Sequence, residues 1–250
     1  MKELIVIVLL LSVSQIKDNT FQTSSEDLHH KSELSSLALN NMRHNYFHRW
    51  PPVKGENKIT NDQFLANTLL FKDFLTNHQY YNDLLVQFNS KETTDKFKAK
   101  TVDIYGLAYG FQCNGGEPNK TNCIYGGLTT HEDNKLDKPK NVPINLWIDG
   151  AQKRVSLDKV KTDKKTMTIQ ELDAQARYFL QGEYLLYHND SFGGKIQKGF
   201  IEFHDANGFE VSYDLFDVKG DYPDTQLRIY NDNKTISSKN LHIDIYLFTK

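Results

Sequence analysis

The sequence predicts an α+β fold organised as two β-rich halves. Three observations predict it. Short apolar runs of strand length recur on both sides of a polar, charged stretch from His131 to Lys140. One segment alone, opening at Thr168, carries a clean helical stripe. Aromatic residues make up 12% of the 250 residues while Met numbers only three, a composition suited to β packing.

The elements follow in chain order. Lys2 precedes an apolar run from Leu4 to Leu11 that continues into Ser12-Val13-Ser14 and then turns polar. The run is too short to cross a bilayer as a helix and has the length of a signal-peptide core. Residues 1–24 are therefore read as a leader, against a buried terminal strand or helix. Small residues allow a cut after Ser14, and one between Asn19 and Ser25 is equally arguable. Residues 25–55 read as a helix and linker. Ser25-Glu26-Asp27-Leu28 has a capping pattern, Leu28, Leu34, Leu37, Leu39 and Met42 give an imperfect stripe, and Trp50-Pro51-Pro52 ends it. Strands are expected at Thr68–Phe71, Leu84–Phe88 and Val102–Tyr105. Val142–Ile148, then Asp149-Gly150 and a further extended piece, reads as a hairpin. Thr168 caps a helix, Glu171 answers three residues on, and Ile169, Leu172, Ala176, Phe179 and Leu180 share a face. Strands are then expected at Gly199–His204, Val211–Phe216, Leu227–Tyr230 and Leu241–Thr249.

Composition limits the partners. A formal charge of −2 provides no basic field, which argues against nucleic acid. No later segment resembles a transmembrane helix, so membrane insertion is not expected. Cys113 and Cys123 are the only cysteines and bracket a loop of turn formers. In a chain that looks exported they read as one disulfide closing a short displayed loop, rather than as a metal knuckle.

Two motifs then carry a resemblance. Tyr125-Gly126-Gly127-Leu128-Thr129, followed after four residues by Asn134, resembles the first signature of the staphylococcal and streptococcal superantigen toxins. Lys164, Leu172-Asp173, Arg177, Leu180 and Leu186-Tyr187 resemble the second, with Met167 standing where another aliphatic or aromatic residue is usual. Val142–Trp147, Gln170–Arg177, Leu227–Tyr230 and His242–Leu247 are further similar to the enterotoxin A group within that family. The resemblance runs from about Asp27 to the C-terminus, and several motifs in the right order make it specific. It implies an OB-type β-barrel at 56–140, containing the disulfide loop, and a β-grasp domain at 141–250 with the N-terminal helix packed on it. It also implies a secreted, non-enzymatic toxin that cross-links MHC class II to T-cell receptor Vβ regions; several such toxins are emetic, an activity tied to the disulfide loop.

The resemblance assigns sites residue by residue. His242 and Asp244 lie two apart in a strand, so their side chains leave the same face. By itself this is a common solvated pair. The resemblance adds His204, after Phe203, and implies a zinc held by His204, His242 and Asp244, with the fourth position completed by a histidine of the class II β chain. Two imidazoles and a carboxylate suit zinc. Class II binding is then expected to weaken in chelator and below about pH 6. Phe64-Leu65 corresponds to an exposed hydrophobic tip contacting the class II α chain, although without the family it reads as barrel core. Gln87 stands where relatives carry an acid, and a neutral amide loses a charge-assisted bond. Asn41, Tyr109 and the Asp221–Asp224 segment, with Tyr222, Pro223 and Asp224, correspond to a T-cell receptor groove. Asn41 alone would read as a helix-surface residue, and Pro223 and Asp224 depart from the group. His78 also has a counterpart but is left outside the zinc set.

Two other classes remain as alternatives at this level. An exported zinc hydrolase lacks a His-Glu-x-x-His helix or a Gly-x-Ser-x-Gly elbow to support it. An OB-fold binder of oligosaccharide or single strands lacks a basic, aromatic-lined groove.

Overall fold

Ser35 decides where the first long helix begins. Its hydroxyl accepts from the Ala38 amide at 2.9 Å, and α1 runs Ser36–Tyr46 from that cap. The computed structural model describes residues 27–47, 51–74, 83–110, 121–208 and 210–250. The leader, the Ser25 end of the expected cap, Trp50, His78 and Cys113 lie outside these. The stripe expected to start near Leu28 is broken. Lys31–Glu33 forms a separate 3-10 turn with a His30–Glu33 capping box, and Leu34 is extended. Leu28 is buried outside any helix, while Leu37 points outward at 43% exposure. Ala38, Met42 and Tyr46 make the buried face, and Arg43 and His44 in the last turn oppose the helix dipole.

Among the described residues, the first half is built on two sheets. Val53–Lys58 pairs antiparallel with Val102–Gly106, which pairs with Leu128–Thr130. Thr68–Phe71, Asp83–Gln87, Thr121–Tyr125 and Ala108–Gly110 form the second sheet in that order, with the middle pair parallel. Inward residues of both sheets, among them Val53, Leu69, Leu84, Val86, Ile104, Ile124 and Leu128, share one core. This is an OB-fold domain whose strands, among the described residues, do not close into a single barrel. A short helix α2, Lys91–Phe97, is not anticipated by the alternation pattern; Ser90 caps it and Phe97 stacks on Phe88.

The second half is built on a five-stranded sheet in the order Ala151–Lys153, Ile144–Ile148, His242–Phe248, Lys198–His204, Glu210–Asp214. Asp149 and Gly150, both at positive φ (49° and 78°), turn the expected hairpin. Helix α3, Ile169–Tyr184, starts at its Thr168 cap as expected and ends at Leu185 in the left-handed region. It buries Ile169, Leu172, Ala176, Phe179 and Leu180 against the sheet, and α1 packs on it. The strand expected at Leu227–Tyr230 is instead a 3-10 turn continuing the short helix α4, Pro223–Gln226. Pro223 sits at the first helical position, where its fixed φ starts a helix. Leu227 and Ile229 alternate as a strand would, but the two buried residues, Leu227 and Tyr230, are three apart, a helical spacing. No helix among the described residues is long and apolar enough to cross a membrane.

Candidate metal centre

The two signature motifs lie in the architecture rather than on a docking face. Gly127 has φ +81°, and a Cβ there would come within 2.1 Å of the Tyr105 carbonyl, so only glycine fits. Asn134 ties the halves together: its amide donates to Thr166 O at 2.9 Å and its side-chain oxygen accepts from Thr166 N at 2.7 Å. Asp173 and Arg177, one helical turn apart, form a buried ion pair at 2.8 Å. The guanidinium also donates to the Tyr187 hydroxyl and lies over the Tyr46 ring, while Tyr230 donates to Asp173 at 2.6 Å and meets Tyr46 at 2.7 Å. Burial pushes the Tyr187 phenol up to about 12, with Arg177 opposing. Lys164 pairs with Glu171 at 2.8 Å, so the glutamate expected to answer the Thr168 cap is spent on a lysine.

The metal candidate lies on the outer face of the five-stranded sheet. Antiparallel register sets His204 directly opposite His242 and Glu202 opposite Asp244. Period-two geometry sends all four side chains to one face. The imidazoles stack at 4.9 Å and 15°. One donor atom each from His204, His242 and Asp244 falls within 4.8 Å of the others. His242 Nδ1 lies 3.3 Å from the Asn240 carbonyl, which can only accept, so the Nε2 lone pair is left for a ligand bond. Asn145 donates to Asp244 Oδ1 at 2.7 Å and orients that carboxylate. His204 Nε2 is buried and has no hydrogen-bond partner. A buried imidazole nitrogen without a partner is costly unless something else takes its lone pair. The residues therefore fit zinc: two imidazoles, one carboxylate and an unused donor atom pointing between them. Sequence reasoning missed Glu202 and Asn145; Glu-x-His spacing on the partner strand was the available signal for the first.

The other expected residues form two groups. Phe64 and Leu65 are 48% and 45% exposed, on a tip where Thr68 accepts from Leu65 N at 2.7 Å. Gln87 accepts from the Tyr109 hydroxyl at 3.0 Å, which links a residue expected at the α-chain surface to one expected at the receptor groove. Tyr109 stacks on Tyr125 at 4.2 Å, and its strand touches α4. Asn41 donates to Asp221 O at 2.8 Å. Tyr222 is 61% exposed, and Pro223 and Asp224 open α4 beside it. Asn41 and the Tyr109 strand thus both lie against the Asp221–Asp224 segment. Cys123 is fully buried; its expected partner lies outside the described residues.

Residues 41–130 match the family model for the staphylococcal/streptococcal toxin OB-fold domain, and 142–247 match the one for its β-grasp domain. The chain belongs to this toxin family. It is 58% identical over 244 residues to enterotoxin type D of Staphylococcus aureus, covering 97% of this chain and 94% of that one. Its fold is similar to that of staphylococcal enterotoxin A co-crystallised with zinc, with a TM-score of 0.87, 56% identity, and coverage of 90% and 100%. It is also similar to the superantigen SpeA in a zinc-soaked complex with a T-cell receptor β chain, at a TM-score of 0.79, 33% identity, and coverage of 90% and 98%. As a member of these superantigen enterotoxins the protein is a toxin and not an enzyme, which removes the zinc-hydrolase alternative.

Proposed function

We propose that the protein is a secreted superantigen enterotoxin that cross-links MHC class II to T-cell receptor Vβ regions through a zinc-bridged contact with the class II β chain. The observation that carries this reading is the buried, unpartnered His204 Nε2 among His242 and Asp244. It lies in a chain similar to a toxin crystallised with zinc. When bound, zinc supplies a Lewis-acidic centre with a position to share between two proteins. The chain's own residues prepare it: Asn145 fixes Asp244, and the Asn240 carbonyl fixes the His242 tautomer. Phe64, Leu65 and Gln87 serve a second, weaker contact on the α chain. Asn41, Tyr109, Tyr222, Pro223 and Asp224 serve the receptor. Emesis is the role that the resemblance gives the Cys113–Cys123 loop.

Surface plasmon resonance on immobilised class II tests the bridge. Chelator or His242→Ala lowers affinity about 100-fold, the equivalent of about 2.7 kcal/mol, and added zinc restores the wild type only. Unchanged binding in chelator would overturn the zinc contact. T-cell proliferation restricted to a few Vβ families tests the wider activity, and its absence with folded, zinc-loaded protein would overturn the superantigen reading.

A further inference from the structure

Glu202 belongs to the same face as the three metal candidates, and no resemblance assigns it a role. Its side chain is nine-tenths buried, and Oε2 lies 3.7 Å from His204 Nε2, the same distance as Asp244 Oδ2. The unpartnered nitrogen is therefore equidistant from two carboxylates. Glu202 also stands directly across the ladder from Asp244. Like charges in opposed positions destabilise a sheet unless a cation lies between them. Zinc bonds of about 2.0–2.1 Å place tetrahedral ligand atoms roughly 3.4 Å apart. Both 3.7 Å separations from His204 need only a few tenths of an ångström of contraction to reach that value, and because Glu202 is outside the set whose donor atoms all lie within 4.8 Å of one another, its carboxylate swings inward to complete the site.

We propose that Glu202 supplies the fourth ligand of the metal centre in the unpartnered toxin and is displaced by an incoming imidazole. The inference rests on the zinc reading and deepens it. Four protein ligands close a zinc site, three leave it open. A displaceable fourth lets one site do both, holding metal in dilute solution and yielding a position on docking. In the exchange the carboxylate oxygen leaves the metal with its electron pair while the neutral imidazole nitrogen donates its own. No proton moves.

The test uses the full chain, zinc and cobalt(II) as metals, and free imidazole as the incoming ligand. Zinc affinity is measured by competition with a chromophoric chelator, and imidazole binding by the visible absorption of the cobalt form. Glu202→Gln keeps the shape and removes the charge. It weakens zinc affinity about 10–100-fold yet lets imidazole saturate the cobalt form at lower concentration than in the wild type. General damage to the sheet would weaken both together, so opposite movement is the signature, and joint weakening overturns the proposal. Equal zinc affinity and equal imidazole response in wild type and Glu202→Gln also overturn it while leaving the three-residue site standing. Wild-type protein that binds no zinc would overturn the metal reading itself.

Discussion

The Arg177 network and the His204 cluster handle buried charge in opposite ways. At Arg177, one cation, one anion and three tyrosine hydroxyls satisfy each other, and no buried side-chain polar atom of the group lacks a partner. At His204, a buried nitrogen has no hydrogen-bond partner and two carboxylates face each other across a strand pair. The first arrangement is complete without any ligand, and it joins α1 to α3 and to the 3-10 turn at Tyr230. On the zinc reading, the second is completed by a cation. Charge that holds the fold is closed on itself, and charge that serves a ligand is left open.

The largest effect that would break this comparison comes from opening the closed network. Arg177→Met leaves Asp173, fully buried, without its cation, and is expected to cost about 3–5 kcal/mol. Urea unfolding checks it, and a loss below about 1 kcal/mol would mean the network is not closed in the sense argued. Pairing Arg177→Met with Asp173→Leu should recover much of the loss, because a buried pair replaced whole by apolar groups is often nearly neutral. The metal ligands behave differently. His242→Ala removes zinc affinity while leaving the metal-free unfolding midpoint close to wild type, since His242 is only half-buried at the end of its strand.

A smaller effect separates fold from docking on the first half. Phe64 is 48% exposed and contributes little to the core. Phe64→Ala is expected to change stability by no more than about 0.5 kcal/mol. It should lower α-chain affinity by about 2 kcal/mol, roughly thirtyfold. Calorimetry of unfolding and binding to class II carrying a blocked β-chain site read the two separately. A large stability loss with no change in binding would return Phe64 to the core that its sequence alone suggests.

The closed region was easier to read in the sequence than the open one. Helix α3 was legible because Thr168 and a five-residue apolar face specify a helix locally, and the hairpin was legible because Asp149-Gly150 specifies its turn. The sheet strands were legible through alternation. Residues 227–230 were misread because Leu227 and Ile229 alternate over too short a run to tell a strand from a turn, whereas the buried pair, Leu227 and Tyr230, has helical spacing and Tyr230 meets the Tyr46 hydroxyl. The start of α1 was misplaced because Ser25 and Ser35 are both competent caps, and the sequence does not show that Leu34 is extended. At the metal centre, His-x-Asp is too common a pattern to mean anything alone. Its force comes from cross-strand register, which no local pattern encodes, and for the same reason Glu202 went unnoticed.

The smallest effect lies between the two regions, where an exposed charge pair pins the N-terminal segment to the sheet. His29 Nδ1 lies 2.9 Å from Asp214 and Nε2 lies 3.5 Å from Asp217. The hydrogen bond to Asp214, opposed by slight burial and aided by both carboxylates, raises the His29 pKa above its ordinary value. A raised folded-state value means that protonated His29 stabilises the fold. That stabilisation is fully present below the unfolded imidazole range of about 6.5 and is lost as pH rises through the higher folded value. The side chain is 46% exposed, so solvent screening holds the contribution to below about 1 kcal/mol. Comparing wild type with His29→Gln by thermal melting across pH isolates it. The wild type should melt higher at pH 5.5, and the two curves should converge by pH 8.5. A gap that stays constant with pH would assign the difference to packing. A gap that widens toward alkaline pH would reverse the sign argued for the pair.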